Sequence, residues 1–384
     1  MIYKIDKKLM SIVRSMQSLS DKIDCLVYAK NYYLAKNYLE KRNFEIVEYP
    51  FIKAFGIKAN FSQVKSLANL TTVNYISSVA QVSAQMDKTK KIMEIDGIDN
   101  QLTGKGVNVA IIDTGISNHL DFCSFKNRII YFKDFLENRT EPYDDNGHGT
   151  FVAGVLAGNG FASGKKYCGV APNANIVMCK ALDKNGETTS LTILNAMQWI
   201  YENKDKFNIK VVCMSFGSQP LDVKDPLMLG AEALWNKGIV VVAAAGNSGP
   251  QRSSIKSPGI SGKIITVGAL DDGRNSQEIA SQKNNFKTAT FSSRGPAYNF
   301  YKPDCLAPGV DIICTSYSND FYTKMSGTSV STPIVAGSVA LLFEKYPNIT
   351  PNQVKNKLMH SCQKIEFDRN LEGFGILNTK TFCE

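Results

Sequence analysis

Five near-continuous apolar runs, at residues 107–113, 176–182, 210–216, 239–245 and 264–270, constrain this chain more than any other feature. A strand with one face in water alternates apolar and polar side chains, so a run without alternation belongs to a sheet covered on both faces. Segments of helical period lie between or after the runs, at 148–157, 189–203, 231–237, 327–345 and 350–361. Thr350-Pro351 opens the last of these, with proline in the first turn, where its missing N–H has no intrahelical bond to lose. Strands and helices alternating in this way predict an α/β sandwich built on a mainly parallel sheet.

The first 85 or so residues have another rhythm, β-α-β-β-α-β. It reads as a short strand at 25–29, an amphipathic helix at 31–41 and two strands within 44–59 that meet near Tyr49-Pro50. Asn60 then caps a second helix through 64–70, because its side chain accepts from free first-turn N–H groups, and a strand at 73–79 closes the sheet. This is the split βαβ, ferredoxin-like pattern. From about residue 88 to 105 the sequence is charged and loses its β pattern, which suits a linker. A chain of 384 residues has room for two domains. The expected division is a small α+β domain at 1–85, a linker at 86–105 and the α/β domain at 106–384.

Composition narrows the functional classes. The net charge of +9 comes from 44 basic and 35 acidic residues, but the lysines are scattered, with Lys88, Lys90 and Lys91 the densest short group. No basic stripe is interleaved with stacking aromatics, so nucleic acid is not an expected partner. Charges at Lys4, Asp6, Lys7, Lys8, Arg14, Asp21 and Lys22 break every apolar stretch near the N-terminus, which does not read as a secretory signal. No apolar run approaches the roughly 18 residues that span a bilayer. The expectation is a cytoplasmic protein with no membrane partner, with non-classical release or packaging into a spore or particle as the other routes. Nine cysteines occur singly, none paired at metal-ligand spacing, so neither a disulfide framework nor zinc is expected. Cys179, Cys213 and Cys314 lie in apolar stretches and read as small hydrophobes.

Parallel sheets present reactive residues at the carboxyl ends of their strands. Asp113 follows the strand Val107-Asn108-Val109-Ala110-Ile111-Ile112 and precedes Thr114-Gly115, although on its own it reads rather as a turn cap. His148, in Asn146-Gly147-His148-Gly149-Thr150, is flanked by glycines that leave the imidazole uncovered, and a helical run follows it. His119 and His360 lack such flanks and read as structural or exposed, which leaves His148 as the candidate base. Ser329, in Ser326-Gly327-Thr328-Ser329-Val330-Ser331-Thr332-Pro333, stands at a helix start, where free N–H groups favour a developing oxyanion. Pro333 is expected in that first turn, and a plain serine-rich cap is the other reading. A serine hydroxyl is a weak nucleophile until a base takes its proton, so Ser329 needs a histidine. Asn247, in Ala245-Gly246-Asn247-Ser248-Gly249, follows an apolar strand and has an amide able to donate to an oxyanion; a bare turn is its alternative.

In order, spacing and wording, these motifs resemble the subtilisin-like serine protease family, whose triad runs Asp, then His, then Ser along the chain. The resemblance covers roughly residues 100–362 and includes Gly169-Val170-Ala171-Pro172, Phe291-Ser292-Ser293-Arg294-Gly295-Pro296 and Lys302-Pro303-Asp304. It implies a three-layer sandwich and a serine endopeptidase in which Asp113 orients the histidine, His148 is general base and acid, Ser329 is the nucleophile and Asn247 helps form the oxyanion hole. It further implies that Ser215-Phe216-Gly217 and Ala244-Ala245-Gly246 bind the backbone of a protein or peptide substrate on either side of a specificity pocket.

The N-terminal rhythm is similar to the family's pro-region, which assists folding and then inhibits, so the chain is expected to cut itself between Ser83 and Asp87, in an extended tail through Val82-Ser83-Ala84-Gln85-Met86. The sequence departs from the family at Phe151, where many members have a second histidine, and at Val330-Ser331, where they have methionine-alanine. Residues 158–164 replace the loop that holds a strong calcium site in secreted relatives; no cofactor is expected to be required, and calcium stays open as a ligand without a recognisable site. A catalytically silent member acting as a regulatory binding protein is the competing reading. An esterase is not expected, because Ser331 stands where the G-x-S-x-G elbow needs its second glycine.

Overall fold

The structure, a computed structural model, describes residues 4–5, 9–10, 22–50, 53–78, 85–95, 102–220, 225–273, 286–318 and 320–384. The chain divides into two compact units, Met1–Ser83 and Ala84–Glu384.

In the first unit, β1 (Ile23–Ala29), β2 (Ile46–Tyr49), β3 (Ala54–Ala59) and β4 (Val73–Ser78) form an antiparallel sheet in the order β2-β3-β1-β4. Helix Tyr32–Glu40 connects β1 to β2 and helix Phe61–Ala68 connects β3 to β4, giving the ferredoxin-like arrangement anticipated from the sequence. Asn31 caps the first helix by accepting from Leu34 N at 3.2 Å. Asn60 caps the second in a reciprocal box: its Oδ1 accepts from Gln63 N and its own N–H donates to Gln63 Oε1, both at 2.9 Å. The alternating burial of β1 sends Cys25, Val27 and Ala29 into a core shared with Leu39, Val64 and Leu67 of the helices.

The second unit begins with helix Gln85–Ile92. A linker was expected over this stretch, and Gln85 and Met86 were expected to be extended; both lie in the helix instead, while residues 82–84 fall outside the described residues. Among the lysines, Thr89 and Met93 stand one turn apart and are both fully buried. The Met93 side chain joins the main core, and its carbonyl accepts from Thr379 N at 2.8 Å. Two buried positions at helical spacing anchor a segment that its charge content makes look like a connector.

The main sheet contains β5 (Asn108–Asp113), β6 (Ile129–Asp134), β7 (Asn175–Lys180), β8 (Ile209–Met214), β9 (Val240–Ala244), β10 (Ile265–Asp271), β11 (Lys287–Thr288) and β12 (Cys305–Pro308). A separate hairpin is made by β13 (Ile312–Thr315) and β14 (Tyr322–Met325), and β15 (Cys362–Gln363) and β16 (Ile376–Leu377) complete the main sheet. Its order is β15-β16-β12-β10-β9-β8-β5-β7-β6, with β11 on β10. Every pairing from β6 across to β16 is parallel, and only β11 and β15 run against their neighbours.

Helices cover both faces of this sheet, which explains why its strands read as unbroken apolar runs. Helix Thr328–Lys345 lies along β8, β9, β10 and β12 with helix His148–Ala157 beside it, and helices Ser190–Asn203 and Pro226–Asn236 pack on each other. Helix Thr328–Lys345 is buried all round from Val330 to Phe343, as a helix at the centre of a large core must be. Helix Pro226–Asn236 starts earlier than its apolar period suggested, because Asp225 caps it by accepting from Met228 N and Pro226 takes the first position. No helix among the described residues is long and apolar enough to cross a membrane.

Candidate active site

Because β5, β7, β8 and β9 are parallel, their carboxyl ends open on one edge of the sheet, and the singled-out residues gather there. Asp113 is the last residue of β5 and is almost wholly buried. Its Oδ1 accepts from Thr114 N and lies 2.7 Å from His148 Nδ1. An ionised carboxylate only accepts, so Nδ1 carries the proton and the neutral imidazole keeps its lone pair on Nε2.

His148 opens its helix behind Gly147, whose φ of 104° lies in the left-handed region, and a Cβ there would come within 2.5 Å of the Tyr317 ring. Burial opposes a charged imidazolium at His148, yet the nearby Asp113 and Asp144 carboxylates outweigh it and raise the pKa above the usual 6.5. The imidazole remains 27% exposed, enough to meet a ligand.

Two residues that the sequence reading passed over hold this arrangement. Asp144 accepts from Thr114 Oγ1, Asn146 N, Gly147 N, Thr150 N and Thr150 Oγ1 at 2.6–3.1 Å, which ties the loop before His148 and the first turn of its helix to the end of β5. An acidic residue just ahead of a helix start is the available signal, since it meets first-turn amides that lack partners. Lys180, at the end of β7 and 1% exposed, donates to Thr114 O and Asp145 Oδ1 at 2.6 Å and to Leu182 O at 3.2 Å. A lysine inside an otherwise apolar run has to find such partners.

Ser329 is the second residue of helix Thr328–Lys345. Pro333 is not in the first turn, as expected, but sixth in the helix. The N–H it lacks is the one that would have bonded the Ser329 carbonyl, so proline loosens the helix directly at the serine. Before the helix, Gly327 has φ 154° and ψ 162°, a conformation reserved for glycine. A Cβ on Gly327 would lie 3.0 Å from Ser329 Oγ, 3.3 Å from Asn247 Nδ2 and 3.7 Å from Ser329 N. The missing side chain therefore leaves a small hollow faced by a hydroxyl and two N–H donors. Asn247 is locked into that orientation: its Oδ1 accepts from Thr328 N at 2.9 Å and Thr328 Oγ1 at 3.0 Å, which turns Nδ2 the other way.

His148, Asn247 and Ser329 line one cleft of about 490 Å3, together with Ser215, Phe216, Gly217, Ala244 and Gly246. No hydrogen bond joins Ser329 to His148, although both line the cleft. Ala245 stands apart from the other expected wall residues. Its methyl is buried against Met228, Ile255 and Ile260, its N–H donates to Val267 O, and its carbonyl accepts from Lys256 N, both at 2.9 Å. The polypeptide holds its own strands together with Ala245, leaving no free peptide group there for a substrate.

Among the described residues no group of three or more His, Cys, Asp or Glu side chains is placed to hold a metal. In the loop at 158–164, Asn159 offers no cradle for calcium: its Oδ1 accepts from Phe161 N and its carbonyl from the Lys165 ammonium, at 2.9 and 3.0 Å. A lysine cation on that carbonyl does not fit a metal site. All nine cysteines are free thiols.

A parallel α/β sandwich with a buried Asp-His pair beside a helix-start serine defines a class of hydrolase, and comparison with known proteins specifies it. Residues 104–376 match the model of the Subtilase family, and the chain belongs to that family of subtilisin-like serine endopeptidases. It is 43% identical over 301 residues to serine protease AprX of Bacillus subtilis (strain 168), an alignment covering 73% of this chain and 66% of that protein. Identity is 34% to subtilisin DY of Bacillus licheniformis (73% of this chain, 92% of that one). It is 31% to the thermostable alkaline protease of Halalkalibacterium halodurans (82% and 78%). Among solved structures, Sphericase matches with a TM-score of 0.64 at 28% identity, covering 75% of this chain and 96% of its own. A cold-adapted subtilisin-like serine proteinase matches with a TM-score of 0.59 at 28% identity, covering 73% and 91%.

Proposed function

We propose that this chain hydrolyses peptide bonds through an acyl-enzyme formed on Ser329, with His148 as general base and acid, Asp113 orienting the imidazole, and Asn247 donating to the oxyanion. The observation that carries the reading is the 2.7 Å contact from Asp113 to His148 Nδ1, which leaves the Nε2 lone pair in the cleft that Ser329 and Asn247 also line. As Ser329 Oγ bonds to the carbonyl carbon, Nε2 takes the hydroxyl proton, and the carbonyl oxygen gains a full charge. The hollow over Gly327 lies within reach of Asn247 Nδ2 and the Ser329 N–H, both suited to meet that charge. His148 then gives its proton to the leaving amine, and a water repeats the sequence to release the acid.

The N-terminal segment, residues 1–85, which contains the first unit, acts in this proposal as a pro-region that assists folding, is cut between Ser83 and Asp87, and stays bound as an inhibitor until degraded. Tethering makes the first cut intramolecular, so dilution does not prevent it. A protease cleft binds extended backbone, so cleavage beside Gln85 or Met86 requires the first turn of helix Gln85–Ile92 to open. Nine free thiols support a reducing, cytoplasmic place of action.

Intact-mass analysis of purified wild type beside Ser329→Ala tests both parts. The expected result is two fragments and peptide hydrolysis for wild type, against one inactive full-length chain for Ser329→Ala. A wild type that hydrolyses peptides without being cut refutes the pro-region role alone; a Ser329→Ala chain that still hydrolyses them refutes the catalytic assignment.

A further inference from the structure

Lys256 sits between the two wall segments of the cleft and is held there by the backbone. Its N–H donates to Ala245 O at 2.9 Å, and the next residue, Ser257, exchanges two backbone bonds with Ser218 at 2.9 and 3.0 Å. The start of its side chain consequently lies against glycine on both sides. A Cβ on Gly217 would come within 2.6 Å of Lys256 Cβ, and one on Gly246 would collide with Lys256 Cγ. Both wall glycines thus leave room for this one stem, and Lys256 is itself a lining residue of the cleft.

Among the described residues its charge is unmatched. The two buried lysines of the unit each have a carboxylate: Lys180 has Asp145, and Lys302 has Asp304, which Lys355 shares. Lys256 has no hydrogen bond or ion pair from its ammonium among the described residues, and no carboxylate lines the cleft, where His148 is the other group able to carry positive charge. Asp225, next to Ser257, accepts from Ser257 Oγ and Met228 N. Lys256 is half-buried as a residue, and an ammonium at the lining of a cleft without acids attracts an anion more strongly than one in open water.

We infer that Lys256 sets side-chain specificity, and that the substrate class is polypeptide with a glutamate or aspartate on the acyl side of the cleaved bond, its carboxylate meeting the Lys256 ammonium between the 215–217 and 244–246 walls. This rests on the catalytic reading above. The contact forms an ion pair across a partly desolvated pocket, with an amide or a methyl at the same position of the substrate lacking it.

The test compares kcat/KM for peptides identical except for Glu, Gln, Ala or Lys at that position, in wild type, Lys256→Met and Lys256→Glu. Wild type should favour Glu over Gln by roughly tenfold, the low end for unit charges a few ångströms apart near a protein surface. The ratio should shrink as salt rises. It should approach one in Lys256→Met, and Lys256→Glu should favour Lys over Gln. A Glu-to-Gln ratio near one in wild type, or one unchanged in Lys256→Met, overturns the assignment; so does a preference for Ala with Glu and Gln equal, which would make Lys256 a space-filling wall. Cleavage of no peptide by a wild type that also resists a serine-directed reagent overturns the catalytic reading along with it, a result distinct from cleavage without charge preference.

Discussion

Asn247 gives the account its most quantitative handle, because its two ends do different things. Oδ1 accepts from Thr328 N and Oγ1, and Nδ2 borders the hollow over Gly327. Asn247→Ala removes both functions. Two lost hydrogen bonds, one of them from a helix-start amide, should lower stability by about 1–3 kcal/mol. Loss of the donor should lower kcat by about 10²–10³, the cost measured for removing such an amide in a subtilisin and equivalent to about 2.7–4 kcal/mol of transition-state stabilisation. KM should change little, since the ground-state carbonyl has no charge for the amide to meet. Asn247→Asp separates the two ends: the acceptor stays and the donor goes, so most of the stability should return while turnover stays low. Steady-state kinetics on one peptide, with denaturant melts of Ser329→Ala carrying the same substitutions to prevent self-digestion, read both quantities. An unchanged kcat in Asn247→Ala, or a change confined to KM, would falsify the oxyanion role and make Asn247 a binding or structural residue.

Two further outcomes follow from the same contacts. In its proposed role His148 acts as a base only when neutral, and Asp113 and Asp144 hold its pKa above 6.5 against burial, so kcat/KM should fall on the acid side through a midpoint above 6.5. Asp113→Asn should lower that midpoint and cost about 10⁴ in kcat; a wild-type midpoint at or below 6.5 contradicts the pairing. With the Lys165 ammonium on the Asn159 carbonyl, the 158–164 loop should hold no calcium, so calcium added to Ser329→Ala should leave amide hydrogen exchange in this loop unchanged; protection of the loop by calcium would contradict these contacts.

The central strands and the helices that carry His148 and Ser329 were legible because burial on both faces removes polar residues from a strand, and glycines mark where backbone must turn sharply. Strands nearer the two ends of the sheet were not. β6 is buried only at Ile129, Phe132 and Asp134, so its residues show neither an apolar run nor a two-residue period. β12 is four residues long and ends in Pro308, which local propensity reads as a loop; pairing with β10 and β16 makes it a strand.

At the candidate site, the sequence singled out His148, Asn247 and Ser329, whose chemistry is written in their side chains and which line one cleft, whereas Asp144 and Lys180 were passed over. Their roles come from loops that sequence distance hides: Thr114, Asp144 and Thr150 meet around one carboxylate, and Lys180 reaches back to Thr114. Lys256 escaped notice for the same reason, since only the fold sets it between two glycines far from it in the chain.

The most direct measurement of the central claim is covalent labelling by a serine-directed phosphonylating reagent, located by peptide mass mapping in wild type, His148→Ala and Ser329→Ala. A nucleophile activated by a neighbouring base should take one label, at Ser329, in wild type. Labelling should be strongly slowed in His148→Ala and absent in Ser329→Ala. A label at another residue, or equal labelling of Ser329 with and without His148, would contradict the account.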